Sequence, residues 1–249
     1  MKKLLRIFAT LFMFILNYLA MTDKLWWLTT SEVSAKFFTF ITPAGFTFAI
    51  WSLIYLGILI VSFLYFFRKK VILKTSYKRY LLSCLANGLW IVARQYQNLH
   101  ASMALILVLL ISLIMFDLSI KHRTDLKYYR IIRNIFLLYF GRVQIATLLM
   151  TTIYFNYALW WNPASTLYRA IGCIAAAWVI NTIVLQKEKN ITTSVVAMRA
   201  LIGIANNQWT NSNWAILWKA CIIVFSILVL QVVFQVLINL FSKTRWATK

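Results

Sequence analysis

Three arginines within apolar stretches of this chain need a chemical explanation. Arg142 and Arg199 lie near the middle of long apolar runs, and Arg94 lies toward the end of another. A guanidinium in the hydrocarbon of a bilayer costs about 2.5 to 3.5 kcal/mol on insertion scales, so such residues usually face a protein interior or a wet cavity. Two interpretations stay open: satisfaction by backbone carbonyls or water, or binding of an anionic ligand such as a carboxylate.

Two pairs of aromatic and amide residues have helical spacing in neighbouring apolar runs. Trp51 and Tyr55 are one turn apart, and so are Asn87 and Trp90. Indole, phenol and amide groups need hydrogen-bond partners in lipid, which turns both pairs toward the interior of a helix bundle. The pairs therefore indicate either a ligand pocket or core packing.

Acidic residues are too few for catalysis by paired carboxylates. Asp117 alone lies inside an apolar run, and its position one turn before Lys121 predicts an interfacial ion pair. The sequence contains no Walker loop, GxSxG elbow or HExxH helix, so we expect no catalytic residues and no enzymatic activity. The acids are Asp23, Glu32, Asp117, Asp125 and Glu188.

Cysteine and histidine residues lack the spacing of a metal site. The cysteines occur singly in apolar stretches, which favours a role in packing, and neither histidine has a second ligand nearby. We therefore expect no metal site and no required cofactor. These residues are Cys84, Cys173, Cys221, His100 and His122.

The composition predicts an integral membrane protein. Of 249 residues, 62% are hydrophobic and 12% are charged, which is unlike a water-soluble globule. Recurrent apolar runs long enough to cross a bilayer predict an all-α, polytopic transmembrane helical bundle of about eight spans. The third and seventh runs are the weakest, so seven spans is the alternative. The runs are residues 4–21, 44–67, 80–96, 101–120, 135–157, 166–185, 191–206 and 215–241.

The net charge of +21 is concentrated in alternate loops between these runs. Such a pattern is expected of cytoplasmic loops, so we predict cytoplasmic N- and C-termini. The expected location is the bacterial inner membrane, and an organelle membrane stays open as the alternative. Cations placed in this way are orientation signals, and the expected partner is the lipid bilayer and not nucleic acid. Tryptophans in the opposite loops predict an interfacial aromatic belt. They are Trp26, Trp27, Trp160, Trp161, Trp209 and Trp214.

A short segment after the first run carries a helix-start signal. Thr29 and Glu32 have the spacing of a capping box, and Pro43 follows the apolar stretch 37–41. We expect a short helix at the outer interface that covers a cavity. No linker or soluble domain interrupts the remaining runs, which favours one compact bundle.

At these residues the sequence resembles the TspO/MBR family, the tryptophan-rich sensory proteins that include the translocator protein or peripheral benzodiazepine receptor. The second run reads TPAGFTFAIWSLIY, similar to the family's proline, tryptophan and tyrosine signature, and the third contains ANGLW. The fifth reads LYFGRVQIAT, where the family usually reads like PYLAWVSFAT. The matching positions are Pro43, Trp51, Tyr55, Asn87, Trp90, Tyr139, Val143, Ala146 and Thr147.

The resemblance covers residues 4–157 and implies two parts. Residues 1–160 would form a TspO/MBR-like five-helix membrane core, and residues 161–249 would add three transmembrane helices packed on it. The string ALIGI at 200–204 is familiar from longer relatives.

The resemblance also implies a small-molecule binding or sensory protein with a ligand cavity between helices. The implied ligand is a porphyrin, a haem, a sterol or a similar hydrophobic or amphipathic molecule. Arg94, Arg142 and Arg199 stand where relatives often carry tryptophan, and arginine can pair with porphyrin carboxylates. The implied ligand-binding residues are Pro43, Trp51, Tyr55, Asn87, Trp90, Arg94, Tyr139, Arg142 and Ala146.

Two other functions stay open. The intramembrane arginines would also suit a transporter or permease component for an anionic or amphipathic solute. A membrane enzyme that degrades porphyrins is the third hypothesis. Family members often form homodimers, and Gly172 and Ala176 offer a small-xxx-small face that could serve a homodimer or packing within the chain.

Overall fold

The structure is a computed structural model that describes residues 2–22, 24–25, 27–67, 74–121, 128–160, 166–209 and 215–247. Of residues 2–3, 74–75 and 242–247, only the backbone is described. The sequence analysis also gave roles to residues outside this set, namely Asp23, Trp26, His122, Asp125, Trp161 and Trp214.

The described residues are almost entirely helical, which confirms the predicted all-α class. A 3₁₀ turn, Gly45–Ala49, leads into α3, and a π-helical turn, Tyr154–Ala158, extends α6. The α-helices are α1 (Lys2–Met21), α2 (Thr30–Lys36), α3 (Ile50–Phe67), α4 (Lys74–Gln95), α5 (Leu99–Ile120), α6 (Tyr129–Ile153), α7 (Thr166–Glu188), α8 (Thr192–Gln208) and α9 (Ala215–Ala247).

Within the described chain, every helix except the short α2 corresponds to one predicted apolar run. Six helical segments are long and apolar enough to cross a membrane, which supports a multi-pass integral membrane protein. Helices α4 and α8 are not among them: α4 carries several cations and α8 has 17 residues. The count of eight spans therefore stays a prediction. The six segments are Leu4–Met21, Gly45–Phe67, Leu99–Ile120, Tyr129–Ala158, Thr166–Glu188 and Ala215–Phe241.

The predicted capping box does start a helix. The Glu32 backbone N–H donates to Thr29 Oγ1 at 3.3 Å, and the Thr29 backbone N–H donates to Glu32 Oε2 at 2.6 Å. The helix ends at Lys36, so the apolar stretch 37–41 lies outside it. Side chains of later helices hold the segment: Gln95 Nε2 donates to the Leu28 carbonyl at 2.9 Å, and the Tyr157 hydroxyl donates to the Phe38 carbonyl at 2.9 Å.

One compact unit comprises Met1–Thr39 and Phe48–Pro163. Its five long helices pack in a closed ring, in the order α1, α3, α6, α5, α4 and back to α1. Stacked Phe116 and Phe136, with ring centroids 3.9 Å apart, join α5 to α6 near one end of the ring. Asp117 of α5 pairs there with Arg133 of α6, with Oδ1 and Nε 3.1 Å apart. An ion pair at Asp117 was predicted, but its partner comes from the next helix and not from Lys121 one turn away.

A second unit comprises Phe40–Thr47 and Ala164–Lys249, and in it α7, α8 and α9 each pack against the other two. The division into residues 1–160 and 161–249 stays a prediction about domains. The contacts group residues 40–47 with the second unit, which the sequence patterns did not indicate.

Polar groups of α8 satisfy backbone groups of the 40–46 segment, which lies outside the α-helices. Gln208, Asn207 and Arg199 donate to the carbonyls of Phe40, Thr42 and Phe46 at 3.1, 2.9 and 2.9 Å. The Gly203 carbonyl accepts from the Ala44 N–H at 3.0 Å. Buried backbone groups outside an α-helix need hydrogen-bond partners from elsewhere in the protein, so the polar residues of α8 have a structural reason.

Gly203 permits this close approach, and its replacement should destabilise the protein. A Cβ at Gly203 would meet Thr47 Cγ2 at 2.2 Å. We predict that Gly203→Ala lowers the free energy of unfolding in detergent by about 1–3 kcal/mol, the usual cost of overpacking. Thr47→Ser removes the clashing methyl group, so the double variant should recover most of the loss.

The matched control is Gly172→Ala on α7, where an added Cβ meets nothing within 4 Å. This change should be neutral or stabilising, because alanine has the higher helix propensity. Equal effects of the two single variants, or no rescue by Thr47→Ser, would contradict the packing argument.

The capping box should make α2 sensitive to acid. Hydrogen bonds from the backbone and hydroxyl of Thr29 hold the pKa of Glu32 below its ordinary value of 4.5. The carboxylate therefore stabilises folded α2 above that value and loses this effect as the pH falls through the lowered pKa. In hydrogen–deuterium exchange we expect the amides of 32–36 to lose protection below about pH 4.5 in the wild type, relative to Glu32→Gln at the same pH. Identical pH profiles would show that the carboxylate does not hold the cap.

Candidate ligand-binding site

Four of the predicted aromatic residues meet inside the first unit around Trp51. Trp51 stacks on Tyr55, one turn away on α3, with ring centroids 5.5 Å apart. The rings of Trp90 from α4 and Tyr139 from α6 lie 6.2 and 6.3 Å from that of Trp51. All four side chains are buried. Helical spacing on three different helices thus builds one aromatic cluster.

A network of hydrogen bonds between α1, α3 and α4 supports this cluster. The Tyr55 hydroxyl donates to Asn17 Oδ1 at 2.6 Å, and Asn17 Nδ2 donates to Asn87 Oδ1 at 2.7 Å. Asn17 Nδ2 also donates to the Met13 carbonyl at 2.8 Å. Asn17 of α1 therefore connects α3 to α4. The sequence analysis missed it, although a buried amide in an apolar run is the same signal that drew attention to Asn87.

Arg142 of α6 brings a positive charge to the cluster. Its side chain is 4% exposed, and its guanidinium carbon lies 5.4 Å from the Trp51 ring centroid and 5.2 Å from that of Phe48. A desolvated cation over an indole face gains about 2 kcal/mol, which offsets part of the cost of its burial. Arg142 is the predicted arginine that contacts the predicted aromatic residues.

The cluster also contains two buried hydrogen-bond donors without an acceptor among the described residues. Asn87 Nδ2 and Trp90 Nε1 are buried and have no hydrogen-bond partner among the described residues. A buried donor without an acceptor costs about 1–3 kcal/mol, so each such group calls for an explanation. Both atoms are donors, and Arg142 can only donate. These unpaired polar atoms of the cluster are therefore donors, which are complementary to acceptor groups.

The remaining predicted residues lie elsewhere or at the margin of the cluster. Pro43 is buried in the second unit, where its Cβ would lie 3.3 Å from a Cβ added at Gly203. Arg94 is one turn from Trp90 on α4, and its guanidinium carbon lies 5.3 Å from the Phe37 ring centroid. Ala146 is half-buried, one turn after Arg142.

Arg199, the third of the arginines singled out in the sequence, contacts backbone in the second unit. It belongs to the second unit, where its Nη2 donates to the Phe46 carbonyl and its guanidinium carbon lies 5.9 Å from the ring of the same residue. A backbone carbonyl therefore accepts from one of its nitrogens, as one of the two sequence interpretations anticipated, while Nε is buried without a partner among the described residues.

The motifs on α3, α4 and α6 thus converge in space. Comparison with known proteins supports the family that these motifs resemble. A family model described as TSPO-like protein matches residues 3–246. The chain belongs to the TSPO-like protein family. This match includes the last three helices, beyond the residues 4–157 on which the sequence resemblance rested. Comparison with the curated proteins and with the solved structures gave no match. The chain is thus an integral membrane protein of the TSPO-like family.

The Asn17 network should contribute measurably to the stability of this TSPO-like protein. Asn17→Leu leaves both the Tyr55 hydroxyl and Asn87 Oδ1 without their partner. Because each interhelical hydrogen bond in a membrane protein contributes about 0.6–1.7 kcal/mol, we expect a loss of about 1–3 kcal/mol in detergent unfolding. Tyr55→Phe should lose about half as much.

The control for this series is Tyr139→Phe. The Tyr139 hydroxyl contacts the Met13 sulfur at 3.9 Å, a weak acceptor, so its removal should have little effect. A loss at Tyr139→Phe as large as that at Asn17→Leu would show that the network has no special role.

Proposed function

We propose that this TSPO-like protein is a membrane receptor for an anionic, amphipathic aromatic ligand of the porphyrin or haem type, bound at the cluster around Trp51. The observation that carries the proposal is the combination of aromatic faces with unpaired polar atoms that are donors. The Arg142 guanidinium and the unpaired Asn87 Nδ2 and Trp90 Nε1 suit carboxylate oxygens. The surrounding rings suit a flat apolar body.

This donor set distinguishes porphyrins from sterols among the ligands that the family implies. A sterol presents one hydroxyl group, whereas a porphyrin carries two carboxylates that a buried arginine can neutralise. Burial makes the distinction strong, because a site built to pair a charged group rejects an analogue without it. We therefore propose the dianionic ligand class and treat sterol binding as secondary.

Binding without turnover is part of the same proposal. The groups around Trp51 are indole, phenol, amide and guanidinium, which recognise a ligand by shape and hydrogen bonding. Transport of the ligand is the alternative function, and it requires flux across sealed vesicles in addition to saturable binding. Gly172 is exposed on α7, and it would lie at the interface of the homodimer that the family implies.

The test compares protoporphyrin IX with its uncharged dimethyl ester, titrated against detergent-purified protein and followed by porphyrin absorbance. The wild type should bind the diacid at least about tenfold more tightly than the ester, since a charge-assisted hydrogen bond contributes about 1.5–3 kcal/mol. Arg142→Gln should lose that preference and leave ester binding nearly unchanged. Trp90→Phe keeps an aromatic ring and removes the unpaired N–H, so it should weaken binding of the diacid severalfold.

Arg199→Gln is the matched control, because this arginine already donates to the Phe46 carbonyl. It should leave both affinities unchanged in folded protein. Equal binding of diacid and ester by the wild type, or an unchanged preference in Arg142→Gln, would refute the proposed ligand class. Porphyrin flux that is lost in Arg142→Gln would favour the transport alternative.

A further inference from the structure

A buried arginine near the N-terminal end of α1 lies outside the proposed site. Arg6 is 3% exposed, and its guanidinium carbon lies 3.3 Å from the ring centroid of Tyr65 on α3 and 4.5 Å from that of Tyr77 on α4. Its Nε and Nη1 are buried without a hydrogen-bond partner in the part of the chain that the structure describes. The rings compensate part of the charge, but these two N–H donors still lack acceptors.

The three helices around Arg6 supply no negative charge. Helices α1, α3 and α4 contain no Asp or Glu, and the residues that follow Tyr77 are Lys78 and Arg79. Asp117 of α5 is already paired with Arg133. Every charged side chain on these three helices is therefore basic, and none of them can be the counterion of Arg6.

The surroundings of Arg6 are held in place by hydroxyl groups one turn further into the bundle. Thr10 Oγ1 donates to the Arg6 carbonyl at 2.9 Å and lies 2.6 Å from the Tyr80 hydroxyl and 3.2 Å from Ser62 Oγ. These contacts join α1, α3 and α4 one turn from Arg6. The donors are thus presented by a fixed arrangement of three helices and not by a loose terminus.

Two phenol groups extend the donor set. Tyr65 and Tyr77 are half-buried, and their hydroxyls make no hydrogen bond to another described residue. A guanidinium flanked by two phenols matches a tetrahedral phosphate, which accepts several hydrogen bonds at once. On the same stretch of α1, Leu4, Leu5 and Phe8 are exposed and apolar, as expected where acyl chains contact a helix.

We propose that Arg6, Tyr65 and Tyr77 form a binding site for the phosphate of an anionic phospholipid in the leaflet that meets the N-terminal end of α1. Basic pockets between helices at the level of the headgroups are a known mode of lipid recognition. The neighbouring Lys78 and Arg79 favour a lipid with net negative charge over a zwitterionic one. A soluble phosphate shares the chemistry but lacks the acyl chains that the exposed apolar side chains would contact.

Native mass spectrometry of detergent-purified protein tests this proposal with phosphatidylglycerol and phosphatidylcholine of identical acyl chains. The wild type should retain one phosphatidylglycerol at a concentration about tenfold lower than it needs for phosphatidylcholine. Arg6→Gln should remove this preference. Tyr65→Phe with Tyr77→Phe keeps the rings over the guanidinium and should weaken phosphatidylglycerol a fewfold. Arg199→Gln, the matched arginine control, should behave as the wild type.

Folding is checked by circular dichroism and by monodispersity in detergent. If Arg6→Gln does not fold, Arg6→Lys and the double tyrosine variant decide the question, because both keep a cation among the rings and lose only hydrogen-bonding geometry. Both should then bind phosphatidylglycerol more weakly than the wild type. Equal retention of the two lipids by the wild type, or a preference kept by folded Arg6→Gln, would overturn the proposal. Inorganic phosphate bound as tightly as phosphatidylglycerol would overturn the assignment to a lipid.

Discussion

The cost of holding arginine within apolar surroundings governs the arrangement of this protein. Insertion of such a cation costs about 2.5–3.5 kcal/mol, and a desolvated cation–π contact returns about 2 kcal/mol at best. Each of four arginines, Arg6, Arg94, Arg142 and Arg199, accordingly lies over at least one aromatic ring. With 26 basic and 5 acidic residues in the chain, ion pairs within it could neutralise few of them. Contacts with aromatic faces therefore stabilise all four guanidinium groups. They do not supply hydrogen-bond acceptors for the guanidinium N–H groups, which leaves a residual need for acceptors.

That residual need separates the arginines into different roles. Arg199 meets part of it through Nη2, which donates to the Phe46 carbonyl and stabilises the backbone of residues 40–46. Arg142 lies over the rings of Trp51 and Phe48, and unpaired donors lie at Trp90, at Asn87 and on Arg6. Sites of this kind are complementary to anions supplied from outside the chain. Under the proposed functions, the same residue type contributes to structure in one unit and to ligand recognition in the other.

Much of the fold could be predicted from the sequence because apolar runs of span length are a direct consequence of the bilayer's thickness. The convergence of Trp51, Tyr55 and Trp90 was also accessible, since helical spacing and the need of polar atoms for partners turn them inward. Residues 40–47 were not predicted to group with α7–α9, because a short connection carries no periodic signal. Arg6 was missed for a related reason: beside Lys2 and Lys3 it reads as a loop cation, and only the tertiary positions of Tyr65 and Tyr77 reveal its burial.

The partner of Asp117 shows how charge pairing depends on tertiary structure. A helical i, i+4 pair on one surface contributes about 0.2–0.5 kcal/mol, so it competes weakly with a guanidinium brought in by a packed neighbour. Arg133 approaches Asp117 because the stacked rings of Phe116 and Phe136 fix α5 against α6 at this level. Phe136 is three residues, just under one helical turn, after Arg133, and Phe116 is adjacent to Asp117. Aromatic stacking and ion pairing therefore specify the same helix register. Ring contacts thus position charged groups at this end of the bundle, just as they hold the arginines over aromatic faces elsewhere in the chain.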